Sequence, residues 1–97
     1  FTAPASPKRH LRGAQALGAD VTGAAFENAG DILANRIIDF MKALDIPNGL
    51  NAVGYTAGDI PALVQGTLPQ HRVTKLSPIE AGEAELTQLF QDSMQIW

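Results

Sequence analysis

Cysteine is absent from this 97-residue chain. Disulfide frameworks, thiolate nucleophiles and cysteine-based zinc sites are therefore excluded at the outset. Positive charge is also scarce. Seven Lys and Arg against ten Asp and Glu leave a net charge of −3, which does not suit a nucleic-acid partner, because phosphate contacts need clustered cations. The one basic cluster, Lys8, Arg9, His10 and Arg12, reads as a solvated helix face. No apolar run approaches the roughly 20 residues a membrane helix needs, so no membrane partner is expected. Phe1 to Ser6 carries no basic start and no apolar core of the kind a secretory signal has. The chain opens on Phe1 rather than Met, and a natural start is expected to lie upstream or to have been processed away.

Chemistry-bearing patterns are missing as well. The two histidines, His10 and His71, have no second His one helical turn away and cannot make a metal site between them. Both read as surface residues. Ser6, Ser77 and Ser93 occupy no nucleophile elbow. Gly13, Gly18, Gly23 and Gly30 follow no strand, so they form no phosphate-binding fingerprint. Glu80, Glu83 and Glu85 gather near a helix start, where they favour the dipole. No catalytic, cofactor-binding or metal-ligating residue is assigned to this chain from its residues alone.

What is present is helical periodicity, and the fold class it predicts is all-α with about four helices in a single domain over 1–97. Ser6-Pro7 is a start signal, Ser as cap and Pro at the first position. Leu11, Ala14 and Leu17 follow at helical spacing, and Gly18 is a stop. The clearest helix spans 26–44, with Phe26, Gly30, Leu33, Ile37, Phe40 and Leu44 on one line and Ile32, Ile38 and Met41 widening the stripe. An apolar arc so wide must be covered by other elements. Asp45 and Ile46-Pro47 end it, since a residue before Pro avoids the α region. Thr56 with Asp59 three residues on is a capping-box pattern, although Pro61 makes Asp59 an alternative cap. Ile60, Leu63, Val64 and Leu68 form the inner face of that third helix. Gln70 to Leu76 reads as a polar connector with room for a short extended segment. Ser77-Pro78-Ile79-Glu80 is a second capping-box pattern, interrupted by Gly82, so regular helix is expected from about Glu83. Leu86, Leu89, Phe90, Ser93, Met94 and Trp97 mark its face.

One tract carries more than periodicity. Val53 to Pro78, VGYTAGDIPALVQGTLPQHRVTKLSP, resembles the C-terminal region of the hydroxyacid-oxoacid transhydrogenases, a branch of the iron-dependent alcohol dehydrogenases. Phe1 to Asp20, FTAPASPKRHLRGAQALGAD, resembles the segment just before it. Asp45-Ile46-Pro47 followed by Gly49-Leu50 is similar to a helix-to-loop passage of the wider family. The run VTKLSP is the most branch-specific part, and helix 26–44 is matched mainly by pattern.

The resemblance implies a parent enzyme with an N-terminal α/β domain that binds NAD(P) and a C-terminal helical domain that holds a divalent metal, iron or zinc. In that family one Asp and three His ligate the metal, and the last of them would lie shortly upstream of Phe1. His10 and His71 match none of these ligands. The chain is thus expected to be the C-terminal part of the helical metal-binding dehydrogenase domain and to be inactive alone. Its expected partner is the remainder of the parent, and as an isolated piece it is expected to form a homo-oligomer. A cytoplasmic location is expected, or a mitochondrial one in a eukaryote. The family's connector before the last helix approaches the active-site cleft, which makes Arg72 and Lys75 candidates for meeting a substrate carboxylate. Two alternatives stand beside this reading. One is a freestanding helical interaction module without catalytic activity. The other is a natural subunit that completes an active site with a separate chain.

Overall fold

The computed structural model describes residues 1–97, the side chain of Val73 excepted. Its elements are helical throughout, with no strand among the described residues, as the sequence predicts. We number the helices α1 (Pro7–Ala16), α2 (Ala29–Ala43), α3 (Ile60–Thr67), α4 (His71–Thr74) and α5 (Glu83–Asp92). Four have eight residues or more, and α4 is a single turn. Short 3-10 turns lie at Ala3–Ala5, Phe26–Asn28, Asn51–Val53 and Ala57–Asp59. The chain forms two compact units, Phe1–Ile46 and Pro47–Trp97.

In the first unit α1 packs on α2 through small residues. Ala14 and Ala29 are completely buried, and Leu33 lies over Gly13, so the two backbones approach closely. Pro7 sits at the first position of α1 as expected, but the Ser6 hydroxyl makes no capping bond. Its carbonyl takes over, accepting the N–H groups of Arg9 at 3.1 Å and His10 at 3.3 Å. At the other end Gly18 adopts φ +87°. Ala19 N–H then reaches the Ala14 carbonyl and Gly18 N–H the Gln15 carbonyl, both at 2.9 Å, which satisfies the last carbonyls of the helix. The Leu17 carbonyl, left over, accepts a bond from Arg36 Nε at 2.6 Å, placing a cation where the helix dipole favours one. The same guanidinium lies 4.4 Å from the centroid of the Phe40 ring and 3.9 Å from Asp39.

The helix expected over 26–44 opens as the 3-10 turn Phe26–Asn28 and becomes α-helical at Ala29. It stops for a reason beyond the coming proline. Asp45 takes φ +52°, and Ile46 N–H bonds the Met41 carbonyl at 2.9 Å while Asp45 N–H bonds that of Lys42 at 3.2 Å. A short polar side chain tolerates this left-handed geometry better than most.

In the second unit Ile60, Val64 and Leu86 are the buried core, with Leu68, Ala81, Leu89, Phe90 and Met94 packed against it. This pairs α3 with α5 on the faces the periodicity marks. The Asp59 carboxylate accepts both the N–H and the hydroxyl of Thr56 at 2.8 Å. Those two bonds, the backbone one first, hold its carboxyl below the usual range. The pair opens the 3-10 turn Ala57–Asp59, which runs on into α3; Asp59 stands at the cap position of α3 but makes no side-chain capping bond there. Pro61 falls in the first turn of α3, where a missing donor costs little.

Three expectations are corrected here. The connector 70–76 is not extended: Thr74 N–H bonds the Gln70 carbonyl and Lys75 N–H that of His71, both at 3.1 Å, which makes the turn α4. Ser77-Pro78 starts no helix. Ser77 Oγ accepts Ile79 N–H at 3.3 Å and closes a bend, while α5 begins at Glu83, as the sequence predicts, with Glu85 Oε2 accepting Gly82 N–H at 3.1 Å. Finally, α5 stops at Asp92 rather than carrying its face to Trp97. The carbonyls of Ser93 and Met94 are taken by Leu50 N–H at 2.9 Å and Asn51 N–H at 3.1 Å. Asn48 completes the clasp. Its Oδ1 accepts Ile96 N–H at 2.8 Å and Trp97 N–H at 3.0 Å, and its Nδ2 donates to the Trp97 carbonyl. These bonds outweigh another helical turn.

Candidate functional site

The side chains best placed for recognition lie where α4 meets the start of α5. A recess of about 570 Å³ is lined by Leu68, His71, Thr74, Lys75, Ser77, Glu80 and Ala81. Spacing explains its make-up. His71 and Lys75 are four residues apart on one helical turn, hence on one side of it, and Thr74 lies three from His71. Arg72, one position on from His71, lies outside the lining and is exposed. The two cations singled out from the sequence are thus not brought together. Lys75 belongs to the recess, and so does His71, which is exposed as the sequence reading had it. The signal that would have found His71 is its four-residue spacing from Lys75, which becomes visible only once the connector is known to be helical.

The recess mixes charges. Lys75 brings an ammonium and Glu80 a carboxylate. Among the described residues no ion pair within 4.0 Å joins Lys75 to Glu80, so the two share a recess without closing on each other. Leu68 and Ala81 supply the apolar floor, and both pack on the core of the second unit.

His10, expected on a solvated face, is half-buried and has both ring nitrogens occupied. Nδ1 lies 2.9 Å from the Ser6 carbonyl and Nε2 lies 3.1 Å from Thr2 Oγ1. A carbonyl only accepts, so Nδ1 carries the proton, and in the neutral ring Nε2 accepts from the Thr2 hydroxyl. That ring is an N-terminal strut, not a ligand. A second recess, about 510 Å³ and lined by Phe1, Pro4, Pro7, Phe26, Glu27 and Asp31 among others, belongs to the first unit. Its charged lining is acidic, which suits no anion.

Among the described residues no three of His, Cys, Asp and Glu gather in a way that could hold a metal ion. A divalent metal therefore does not fit the residues present on this chain. After exhaustive dialysis, elemental analysis of the isolated chain is expected to find no stoichiometric iron or zinc, and one tightly held ion per chain would overturn that. Nor is any helix long and apolar enough to cross a membrane.

Fold and site together define an all-α segment that carries one mixed-charge recess. No family model matches it, and no solved structure does. Curated proteins do. The chain is 54% identical over 97 residues to a probable hydroxyacid-oxoacid transhydrogenase, mitochondrial, of Dictyostelium discoideum, covering all of this chain and 18% of that protein. It is 54% identical to the hydroxyacid-oxoacid transhydrogenase, mitochondrial, of Xenopus laevis and 50% identical to that of Homo sapiens, again over 97 residues, all of this chain and 21% of each. Along its whole length the chain is similar to the C-terminal part of these hydroxyacid-oxoacid transhydrogenases. It spans about a fifth of their length.

Proposed function

We propose that this chain is the C-terminal helical part of an NAD(P)- and metal-dependent hydroxyacid dehydrogenase of the iron-dependent alcohol dehydrogenase type, and that residues 70–76 border its active-site cleft. What carries the reading is identity of about one residue in two along the entire chain to proteins named for that reaction. Identity at that level over 97 residues is not a chance likeness between unrelated helical modules.

A transhydrogenase of this name takes hydride from the hydroxyl-bearing carbon of one acid and delivers it to the carbonyl carbon of another. A nicotinamide supplies the carrier chemistry when bound. The ligands of any metal would come from outside this chain, because the residues present do not gather into a site. The role left to these residues is to build the wall of the cleft and to meet a carboxylate. In a eukaryotic source the compartment would be the mitochondrion, after the names of the relatives.

The test is made on the full-length protein that carries this segment. Incubated with a hydroxyacid and a second, different oxoacid, it is expected to form the oxoacid of the first and the hydroxyacid of the second in equal amounts. Strong chelation is expected to abolish the exchange. Absence of exchange across a panel of hydroxyacids, in a preparation that is folded and loaded with metal, would overturn the reading.

A further inference from the structure

We infer that the recess beside Lys75 seats the carboxylate that a hydroxyacid and an oxoacid have in common, an assignment that rests on the functional reading above. A carboxylate needs a cation, additional donors and an apolar surface for the carbons behind it. The recess presents each. Lys75 is the cation. It stands one turn from His71 on α4, with Lys75 N–H bonded to the His71 carbonyl at 3.1 Å, so that both side chains line the same hollow. The imidazole offers an N–H donor in either protonation state. Ser77 Oγ accepts Ile79 N–H at 3.3 Å, and a hydroxyl that accepts can still donate. The hydrocarbon part meets Leu68 and Ala81, which are fixed by their packing on Ile60, Val64 and Leu86.

Glu80 gives the assignment its sharpest consequence. It lines the recess together with Lys75 but forms no ion pair with it among the described residues. The Lys75 and Glu80 charges oppose each other, and an arriving carboxylate is attracted by one and repelled by the other. Removing either charge must therefore shift anion binding in opposite directions. A lysine that was merely solvated would give no such pair of signs.

The experiment uses the full-length protein with butyrate as an unreactive carboxylate probe and 1-butanol as its uncharged counterpart, binding being measured by calorimetry. Lys75→Met is expected to weaken butyrate about tenfold or more, Lys75→Arg to retain most of the affinity, and Glu80→Gln to tighten it several-fold. Butanol binding should change in none of them. With hydroxyacid substrates the Lys75→Met loss should appear in KM more than in kcat. Butyrate that fails to bind the wild type, binds Lys75→Met equally well, or weakens in Glu80→Gln would each overturn the assignment. So would parallel loss of butyrate and butanol in Lys75→Met. Should the full-length protein exchange no hydride between acids, the functional reading falls while the butyrate series still decides the recess. Should it exchange hydride with butyrate indifferent to Lys75, the recess falls and the functional reading stands.

Discussion

Gly49→Ala is expected to strip most of the stability from the unit Pro47–Trp97. Gly49 holds φ +74°, where an alanine costs roughly 1–2 kcal/mol. Its missing Cβ is the larger matter. A carbon built there would lie 2.6 Å from the carbonyl oxygens of both Ser93 and Met94. Those are the oxygens bonded by Leu50 and Asn51 N–H, so relief by movement breaks the clasp. Overpacking of this kind costs about 1–3 kcal/mol, and here the opposing atoms are backbone. The sum, about 2–5 kcal/mol, approaches the whole stability of a unit this small, at roughly 0.05–0.15 kcal/mol per residue. Gly54 supplies the control. It holds φ +97° with nothing within 4 Å of its added Cβ, so Gly54→Ala isolates the backbone strain. Thermal unfolding should show a fall in Tm of about 10 °C or more for Gly49→Ala and well under half of that for Gly54→Ala. Trp97, the single tryptophan, sits in the clasp and reports its opening by fluorescence. Equal losses for the two variants would mean that the tail moves aside freely and that the clasp contributes little.

The same clasp shows where sequence reading reached its limit. Helix starts and faces were legible because they are local: Pro7 at a first position, Thr56 bonded to Asp59, the inner line Ile60, Val64 and Leu68. The end of α5 was not, because Ser93 and Met94 give up helical geometry to bond residues more than forty positions earlier, and no periodicity encodes that. Asn48-Gly49 was legible as a turn, yet its partner was not. Lys75 and Arg72 were both named by resemblance; the structure puts Lys75 in one recess lining with His71, a pairing four apart that a connector taken as irregular does not reveal. Arg72, named on the same ground, lies outside that lining. The interior of the first unit was not marked by periodicity either. The apolar stripe of 26–44 called for cover by other elements, and the residues this unit buries completely are Ala14 and Ala29. Small residues bring the two helices together, while Phe26, Ile37, Phe40 and Leu44 stay exposed.

Those large residues give the last expected result: the isolated chain should self-associate at micromolar concentration. Ile37, Phe40 and Leu44 recur along α2 at helical spacing and are 43%, 39% and 70% exposed, and Phe26 at the foot of the helix is 51% exposed. A row of this kind forms a contiguous apolar face, and faces beyond a few hundred Å² rarely stay in water. Arg36 lies over one side of Phe40, but a guanidinium shields a single ring. A symmetric dimer would hide about 300 Å² on each copy, worth about 15 kcal/mol at roughly 25 cal/mol per Å². Against it stands about 4–15 kcal/mol for lost translational and rotational freedom. The balance, from near zero to about −11 kcal/mol, includes the roughly −8 kcal/mol that corresponds to micromolar dissociation. Sedimentation equilibrium over a concentration series should reveal the dimer, and Ile37→Glu with Leu44→Glu should abolish it while far-UV circular dichroism is retained. In the full-length protein the same face is expected to pack against the parent's other helices, so there the double substitution should cost stability rather than assembly. A wild-type chain that remains monomeric at every concentration would mean that this face tolerates water, and the row on α2 would then lose its standing as a docking surface for the parent as well.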